Sequence, residues 1–295
     1  YDIWRVWDND FYKLVGQNSI LPLSDAFSKY YEQFKYPEAT FSFKGKKYAL
    51  SGPSDYAGQL RYLAWNIDLF EELGLPSLYD YYDKGPDVWN WETFKQIVVQ
   101  ATTGDYIGIE SLMRTRDIFF QTNGVKWIVE DEKGRYKYNV NSSKSKKTVR
   151  FLRGLLEKGV ANAWGQNFID GSTAMRVTAR WKFVKKYNKA DFRVGVVPLP
   201  VGPSYEGEEF VIPLSGMNSH VLPMNSANPR GLAVIWSYLK WDENKEETLE
   251  KIRGNMMNWV SDKKSLNIMM NETWSGHINL WNIFSHNGDP AFFKD

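Results

Sequence analysis

The chain contains no cysteine. Disulfides, thiolate metal sites and cysteine nucleophiles are therefore excluded. Histidine is scarce, with only His220, His277 and His286. None belongs to a His-Glu-x-x-His element or shows metal-ligand spacing, so each reads as a surface or pocket residue rather than a ligand. Neither sign of charge prevails: 37 basic residues face 35 acidic ones, for a net charge of +2. That balance gives no electrostatic ground for nucleic acid or a polyanionic surface as partner. Long apolar runs are missing as well, and a stretch such as 232–236 is far too short to span a bilayer.

Catalytic signatures are equally thin. There is no Gly-x-x-x-x-Gly-Lys-Ser/Thr phosphate loop and no Gly-x-Gly-x-x-Gly fingerprint. Gly52-Pro53-Ser54-Asp55-Tyr56 is like a nucleophile elbow only superficially, because the second glycine and the strand-turn-helix context are absent. Asp8-Asn9-Asp10 lacks the glycine and the distal bidentate glutamate of a calcium loop. Glu71-Glu72 and Glu208-Glu209 are sequence neighbours, which do not converge as an acid/base pair and read as solvated surface. Asn141-Ser142-Ser143 and Asn271-Glu272-Thr273 fit the glycosylation pattern, which arises often by chance. No cofactor and no metal are expected.

What is present is a globular composition. With 295 residues, 43% hydrophobic and 24% charged, the chain has room for about two domains of ~150 residues and a sizeable core. It opens at Tyr1 in strand-like sequence with no signal peptide in view, so a trimmed N-terminus is expected and secretion stays open. The unusual quantity is aromatic content, 16% with thirteen tryptophans. A buried indole N–H needs a partner, so tryptophan is a costly filler. Most of the thirteen read as core, but flat apolar ligands with polar rims, sugars among them, suit the excess.

Helical periodicity is clear in four places. Over 66–74, Leu69, Phe70 and Leu73 share a face, Gly74 sits at the C′ position and Pro76 blocks continuation. Over 91–101, Phe94, Ile97, Val98 and Ala101 recur behind Asn90 as N-cap. Over 143–158, Val149, Leu152, Leu155 and Leu156 form a stripe that ends at Gly159. Asn228-Pro229 opens a helix to about residue 240 with Leu232, Ile235, Trp236 and Leu239 facing inward. Between these lie strands. Residues 41–43 and 47–50 flank a Lys44-Gly45-Lys46 turn, residues 127–129 and 136–140 flank a polar loop, and 192–197 stops at Pro198. Interleaved strands and helices make the class α/β. No repeat and no Gly/Ser linker separates two domains, so the chain is expected to cross between them more than once.

Five segments, in order, resemble the extracellular solute-binding proteins of ABC importers, family 1, the sugar-binding group that includes maltose-binding protein. They are residues 2–11 with Ile20-Leu21-Pro22-Leu23; 45–50 leading to 63–70 and Gly74-Leu75; 89–94; 168–175 with Trp181; and 194–203. The matches span roughly 1–242. The family usually has one more β-α unit before the strand at Asp2 and more helix after the 228 helix, so the chain reads as short at both ends, and the junction at 102–105 is tight.

The resemblance implies a two-lobed periplasmic-binding-protein-like fold of type II, with the ligand in the cleft between lobes. The expected division is 1–58 and 219–265 for lobe I, and 59–218 and 266–295 for lobe II. Carried over by position, Trp7, Asp8 and Asn9 follow the first strand and face the cleft. Asp55, Tyr56 and Gln59 lie near the first crossing. Arg114 and Arg116 occupy a second-lobe loop, as ligand contacts or as surface ion pairs. Trp181 falls on the family's stacking tryptophan, and Asn218 lies near the return crossing. An indole covers the C–H face of a pyranose while Asp, Asn, Gln and Arg engage its hydroxyls. Trp4 and Trp65 read as core. Trp274 and Trp281 are seven apart and fit either cleft closure or core.

The implied function is non-catalytic capture of a carbohydrate, an oligosaccharide, and its delivery to an ABC permease. The chain is expected to be a monomer outside the cell or in the periplasm, touching a membrane only through an N-terminal lipid anchor outside this chain. One alternative is a glycoside hydrolase drawing on Asp8, Asp10 and Asp55, which needs two carboxylates about 5–9 Å apart. Another keeps the fold and changes the ligand to a peptide, polyamine or metal complex.

Overall fold

In a computed structural model, residues 2–23, 42–43, 46–50, 60–133, 135–165, 167–213, 218–240, 245–258 and 260–275 are described. The chain begins with β1 (Trp4–Trp7), α1 (Asp8–Gly16), β2 (Ser42–Phe43), β3 (Lys46–Lys47) and β4 (Ala49–Leu50). It continues with β5 (Arg61–Asn66), α2 (Ile67–Glu72), α3 (Leu78–Tyr82), α4 (Trp91–Gln100), β6 (Ile107–Glu110) and α5 (Arg116–Thr122). Then come β7 (Ile128–Glu130), β8 (Tyr136–Tyr138), α6 (Ser143–Glu157), β9 (Thr173–Ala179), α7 (Arg180–Lys185) and β10 (Val194–Val197). The last elements are β11 (Asn218–Val221), α8 (Pro229–Lys240), α9 (Lys245–Met257) and α10 (Lys263–Ser275). Contacts divide the described residues into two units. The first takes those within Tyr1–Gln59 and Ser215–Ile252, the second those within Leu60–Leu214 and Arg253–Asn282.

The first unit is built on a three-stranded antiparallel sheet in the order β1-β11-β4. Trp4 pairs with Val221 and Trp7 with Asn218. Phe11 and Val15, four apart on α1, are buried, as helical spacing requires. Leu222 packs with Ala233 and Trp236 of α8. Ile235, expected on that inward face, is exposed, so the apolar stripe of α8 is narrower than its sequence suggests. The β2–β3 pairing matches Phe43 with Lys46, which leaves two residues between the strands and places Lys46 in a strand rather than in the turn. Residues 49–50 leave this hairpin and pair with β11 instead.

The second unit carries a four-stranded mixed sheet in the order β10-β5-β9-β6. Strand β5 is antiparallel to both its neighbours, and β6 runs parallel to β9. Every residue of β9 is buried. A strand covered on both faces is free of the polar–apolar alternation that betrays a half-exposed one, which is why β5 and β9 have no clear strand signature.

The expected helix signals operate here. Asn66 accepts an N–H from Leu69 at 3.0 Å, and Asn90 accepts from Glu92 and Thr93. Gly74 takes φ +64°, and Leu75 folds back to donate to the Phe70 carbonyl at 2.8 Å. Aromatic rings fill the core between helices and sheet, and Trp91 stacks on Phe151 at 4.2 Å. Buried Trp89 donates its indole N–H to the Pro198 carbonyl at 2.8 Å. On α6, Leu152 and Leu155 are buried while Val149 is exposed, against the expected stripe.

The free edge of β10 is closed by side chains. The N–H groups of Val194 and Val196 donate to Ser261 and Ser265 hydroxyls, each at 2.9 Å. The Tyr79 hydroxyl donates to Asp262 at 2.8 Å. These bonds hold residues 261–265 on the second unit, whereas the sequence reading carries lobe I to 265. An unpaired edge would otherwise invite another strand.

Gly195 sits against Trp65, and a Cβ there would meet the indole nitrogen at 2.2 Å. Both residues are held in the β10–β5 ladder, so neither can retreat. Gly195→Ala should cost about 1–3 kcal/mol through overpacking, read as an earlier urea midpoint with an unchanged slope. An unchanged midpoint would mean that the indole can swing away.

Candidate functional site

Topology gathers the candidate residues of the second unit at one sheet edge. Strands β6, β9 and β10 end there, and antiparallel β5 begins there. In open α/β sheets the crevice beyond the carboxyl ends of parallel strands is where ligands collect.

The chain leaves β6 through Ser111, whose φ of +56° is unusual for a residue with a side chain. The Ser111 hydroxyl donates to the Gly165 carbonyl, tying this turn to the 162–165 loop. Leu112 and Met113 N–H groups donate to the Asn162 and Ala163 carbonyls, each at 3.1 Å. The Asn162 side chain in turn accepts the N–H groups of Trp164 and Gly165 at 3.0 and 2.7 Å. The result places the Arg114 guanidinium 5.7 Å above the Trp164 ring. Trp164 is 56% exposed and Arg114 is exposed too. After β9, Trp181 stands 37% exposed on α7.

The Lys182 ammonium lies 5.7 Å from the Trp181 ring centre. Glu110 and Arg176 face each other across β6 and β9 and form a buried ion pair. The second carboxylate oxygen of Glu110 accepts the Asn167 N–H at 2.5 Å. Arg180, at the start of α7, is buried. Burial lowers the pKa of Arg61, partly opposed by Asp117. Lys182 is brought down to about 8, first by burial and then by Arg176, Arg61 and Lys186, with Glu110 opposing.

In the first unit, the strand pairing brings Trp7 opposite Asn218, at the end of β1 from which α1 departs with Asp8 and Asn9 as its first residues. Trp7 is 46% exposed. Asp55, Tyr56, Gln59 and Trp281 lie outside the described residues. Of the alternatives for Arg114 and Arg116, ion pairing is absent: among the described residues neither has a carboxylate partner. Arg116 donates to the Met113 carbonyl at 2.7 Å and lines a cavity of about 800 Å³ with Phe120, Trp127, Lys146 and Arg150. Trp164 escapes sequence reading, because an Asn-Ala-Trp-Gly loop has no periodicity that separates a displayed ring from a packed one. Trp65 is buried against Phe70 and Tyr79, as expected. Trp4 is only half-buried.

Residues 2–252 match the family described as bacterial extracellular solute-binding protein. No curated protein matches the chain in sequence. Among solved structures, the extracellular solute-binding protein of Staphylococcus aureus in complex with maltose is similar at 16% identity and a TM-score of 0.65. That likeness covers 94% of this chain and 72% of that one. The GacH receptor of Streptomyces glaucescens, solved unliganded and with acarbose, aligns at 15% identity and a TM-score of 0.64, covering 96% and 74%. UgpB of Mycobacterium tuberculosis in complex with glycerophosphocholine aligns at 17% identity and a TM-score of 0.61, covering 92% and 69%.

These likenesses show the fold, the two-lobed α/β architecture of solute-binding proteins. The chain belongs to the bacterial extracellular solute-binding protein family. That is a family of binding proteins rather than enzymes, which removes the ground for a glycoside hydrolase.

Proposed function

We propose that this chain is the extracellular binding component of an ABC importer and that its ligand is a carbohydrate, an oligosaccharide. The observation that carries the reading is the pair of exposed indoles, Trp164 and Trp181, in the two connections that leave the carboxyl edge of the second sheet. Two exposed rings, Trp164 with the Arg114 guanidinium and Trp181 with the Lys182 ammonium each 5.7 Å away, suit a pyranose, which offers a C–H face and a hydroxyl rim. On this reading Trp7, Asp8, Asn9, Asp55, Tyr56, Gln59 and Asn218 join Arg114, Arg116 and Trp181 on one ligand. Closure follows a hinge motion in which contacts from both units favour the closed state. The partner is the permease, the protein is a monomer, and any membrane anchor is a lipid N-terminal to this chain. The sugars bound by the Staphylococcus aureus and Streptomyces glaucescens proteins support the ligand class.

A thermal-shift panel of neutral mono-, di- and trisaccharides tests the proposal. A ligand of the folded state present at 100 times its Kd stabilises by about 2.7 kcal/mol. At least one oligosaccharide should raise the melting temperature and be recovered intact by chromatography. A panel with no shift, or a shift by peptides alone, counts against a sugar.

A further inference from the structure

We propose that the second unit binds an amphipathic organic anion, a carboxylate on an elongated apolar body such as a medium-chain fatty acid, in the cavity between α5 and α6. The cavity holds about 800 Å³, which falls within the range of small-molecule sites. Phe120 of α5, Trp127, and Leu152 and Leu156 of α6 give it an apolar wall. Only Arg116 is shared with the residues proposed to hold the carbohydrate.

Two stripes of α6 line this cavity. Ser145, Val149, Leu152 and Leu156 form one, and Lys146, Arg150 and Arg153 follow one position behind. Steps of three and four put each set in a row along the helix. From Ser145 to Leu156 the helix rises roughly 16 Å, so an elongated ligand suits the length of the lining. Val140 and Val149 belong to the lining and are exposed, so part of its apolar surface stands in water. The sequence places Val149 on a buried stripe, and an apolar chain lying along α6 would complete that burial.

The charge of the lining is one-sided. It includes Arg116, Lys146, Arg150 and Arg153 and no carboxylate. Arg153 is paired with Glu157 at 2.6 Å. Arg116 donates to the Met113 carbonyl, and neither it nor Lys146 nor Arg150 has a carboxylate partner among the described residues. Cationic stems cover apolar surface while their heads stay in water, which accounts for a basic rim beside an apolar wall. The lack of an acid in the lining decides the sign of the ligand. A carboxylate gains charge-assisted hydrogen bonds there, and a guanidinium fork matches its two oxygens. A cation is repelled, and a neutral chain gains only from the wall.

The test is calorimetric titration of the whole chain at low salt with decanoate, 1-decanol, decyltrimethylammonium and acetate, each below its solubility and micelle limits. We expect decanoate to bind more tightly than decanol by about tenfold or more, the worth of one charge-assisted hydrogen bond. Raising the salt should weaken decanoate and leave decanol unchanged. Decyltrimethylammonium and acetate should give no measurable heat. Two variants localise the site. Val149→Glu sets a carboxylate in the apolar wall and should abolish decanoate binding. Lys146→Gln combined with Arg150→Gln should bring decanoate down to the level of decanol. All three positions are exposed, so the melting temperature of the free protein should hold in both variants. Any saccharide response in the thermal-shift panel should stay as in the parent, and decanoate should bind whether or not a saccharide does. Decanol or decyltrimethylammonium bound as tightly as decanoate, no binding of decanoate, or binding that survives Val149→Glu overturns the proposal. An amphipathic Glu/Leu peptide that binds where decanoate does not also overturns it and makes the groove a protein interface.

Discussion

Glu110→Ala should unfold the second unit at a markedly lower temperature than the parent. Breaking one side of a buried ion pair leaves the other charge uncompensated and costs about 3–5 kcal/mol. Here the stranded partner is Arg176, 6% exposed, in a strand whose residues are all buried. Ala also leaves the Asn167 N–H without its acceptor. At about 2–4 °C per kcal/mol for a unit of this size, the melting temperature should drop by roughly 6–20 °C in scanning calorimetry. Two further variants separate charge from packing. Glu110→Gln keeps an oxygen for Asn167 and should lose less. Glu110→Met combined with Arg176→Met removes both charges and should recover much of the loss, since apolar replacement of a whole buried pair is often neutral or stabilising. A drop below about 1 kcal/mol for Glu110→Ala would place the pair among surface ion pairs in energy and contradict its burial.

Two tryptophans should give opposite phenotypes. Trp65→Ala should cost about 3–5 kcal/mol of stability, the range for deleting a large buried aromatic. Its ring is 2% exposed and lies at 4.8 Å from Phe70 and 5.3 Å from Tyr79, both edge-on. Its N–H donates no hydrogen bond among the described residues, so the loss is one of packing and not of a polar contact. Trp181→Ala should leave the melting temperature within a few degrees, because the ring is partly exposed. It should instead weaken ligand binding by about 1–3 kcal/mol, as truncation of an aromatic anchor does. Measured together, Tm and Kd should cross: Trp65→Ala moves the first, Trp181→Ala the second. Unchanged affinity in Trp181→Ala would remove that indole from the site and leave Trp164 as the platform to examine.

How much of this was legible in the sequence differs by kind of signal. The helices at 67–72 and 91–100 could be placed from their ends, because Asn caps, Gly74 and Pro76 act through bonds only a few residues away. Val149 and Ile235 were misjudged for the complementary reason. Each fits an apolar stripe, but how wide a stripe is buried depends on what packs against it, and that neighbour is not local. The strands β5 and β9 lack alternation since both their faces are covered. The attachment of residues 261–265 to the second unit depends on hydroxyls meeting the edge of β10, across nearly seventy residues of chain.

The same division holds for the site. Trp7, Trp181 and Asn218 were named from family position, and the strand pairing sets Trp7 against Asn218. Trp164 and the pairing of Glu110 with Arg176 had no sequence signal at all. Local propensity and order of motifs are properties of the chain by itself, and they determined the family and the α/β class. Glu110 and Arg176, 66 residues apart, become a buried ion pair only when β6 and β9 lie side by side, because charges interact by distance in space and not along the sequence.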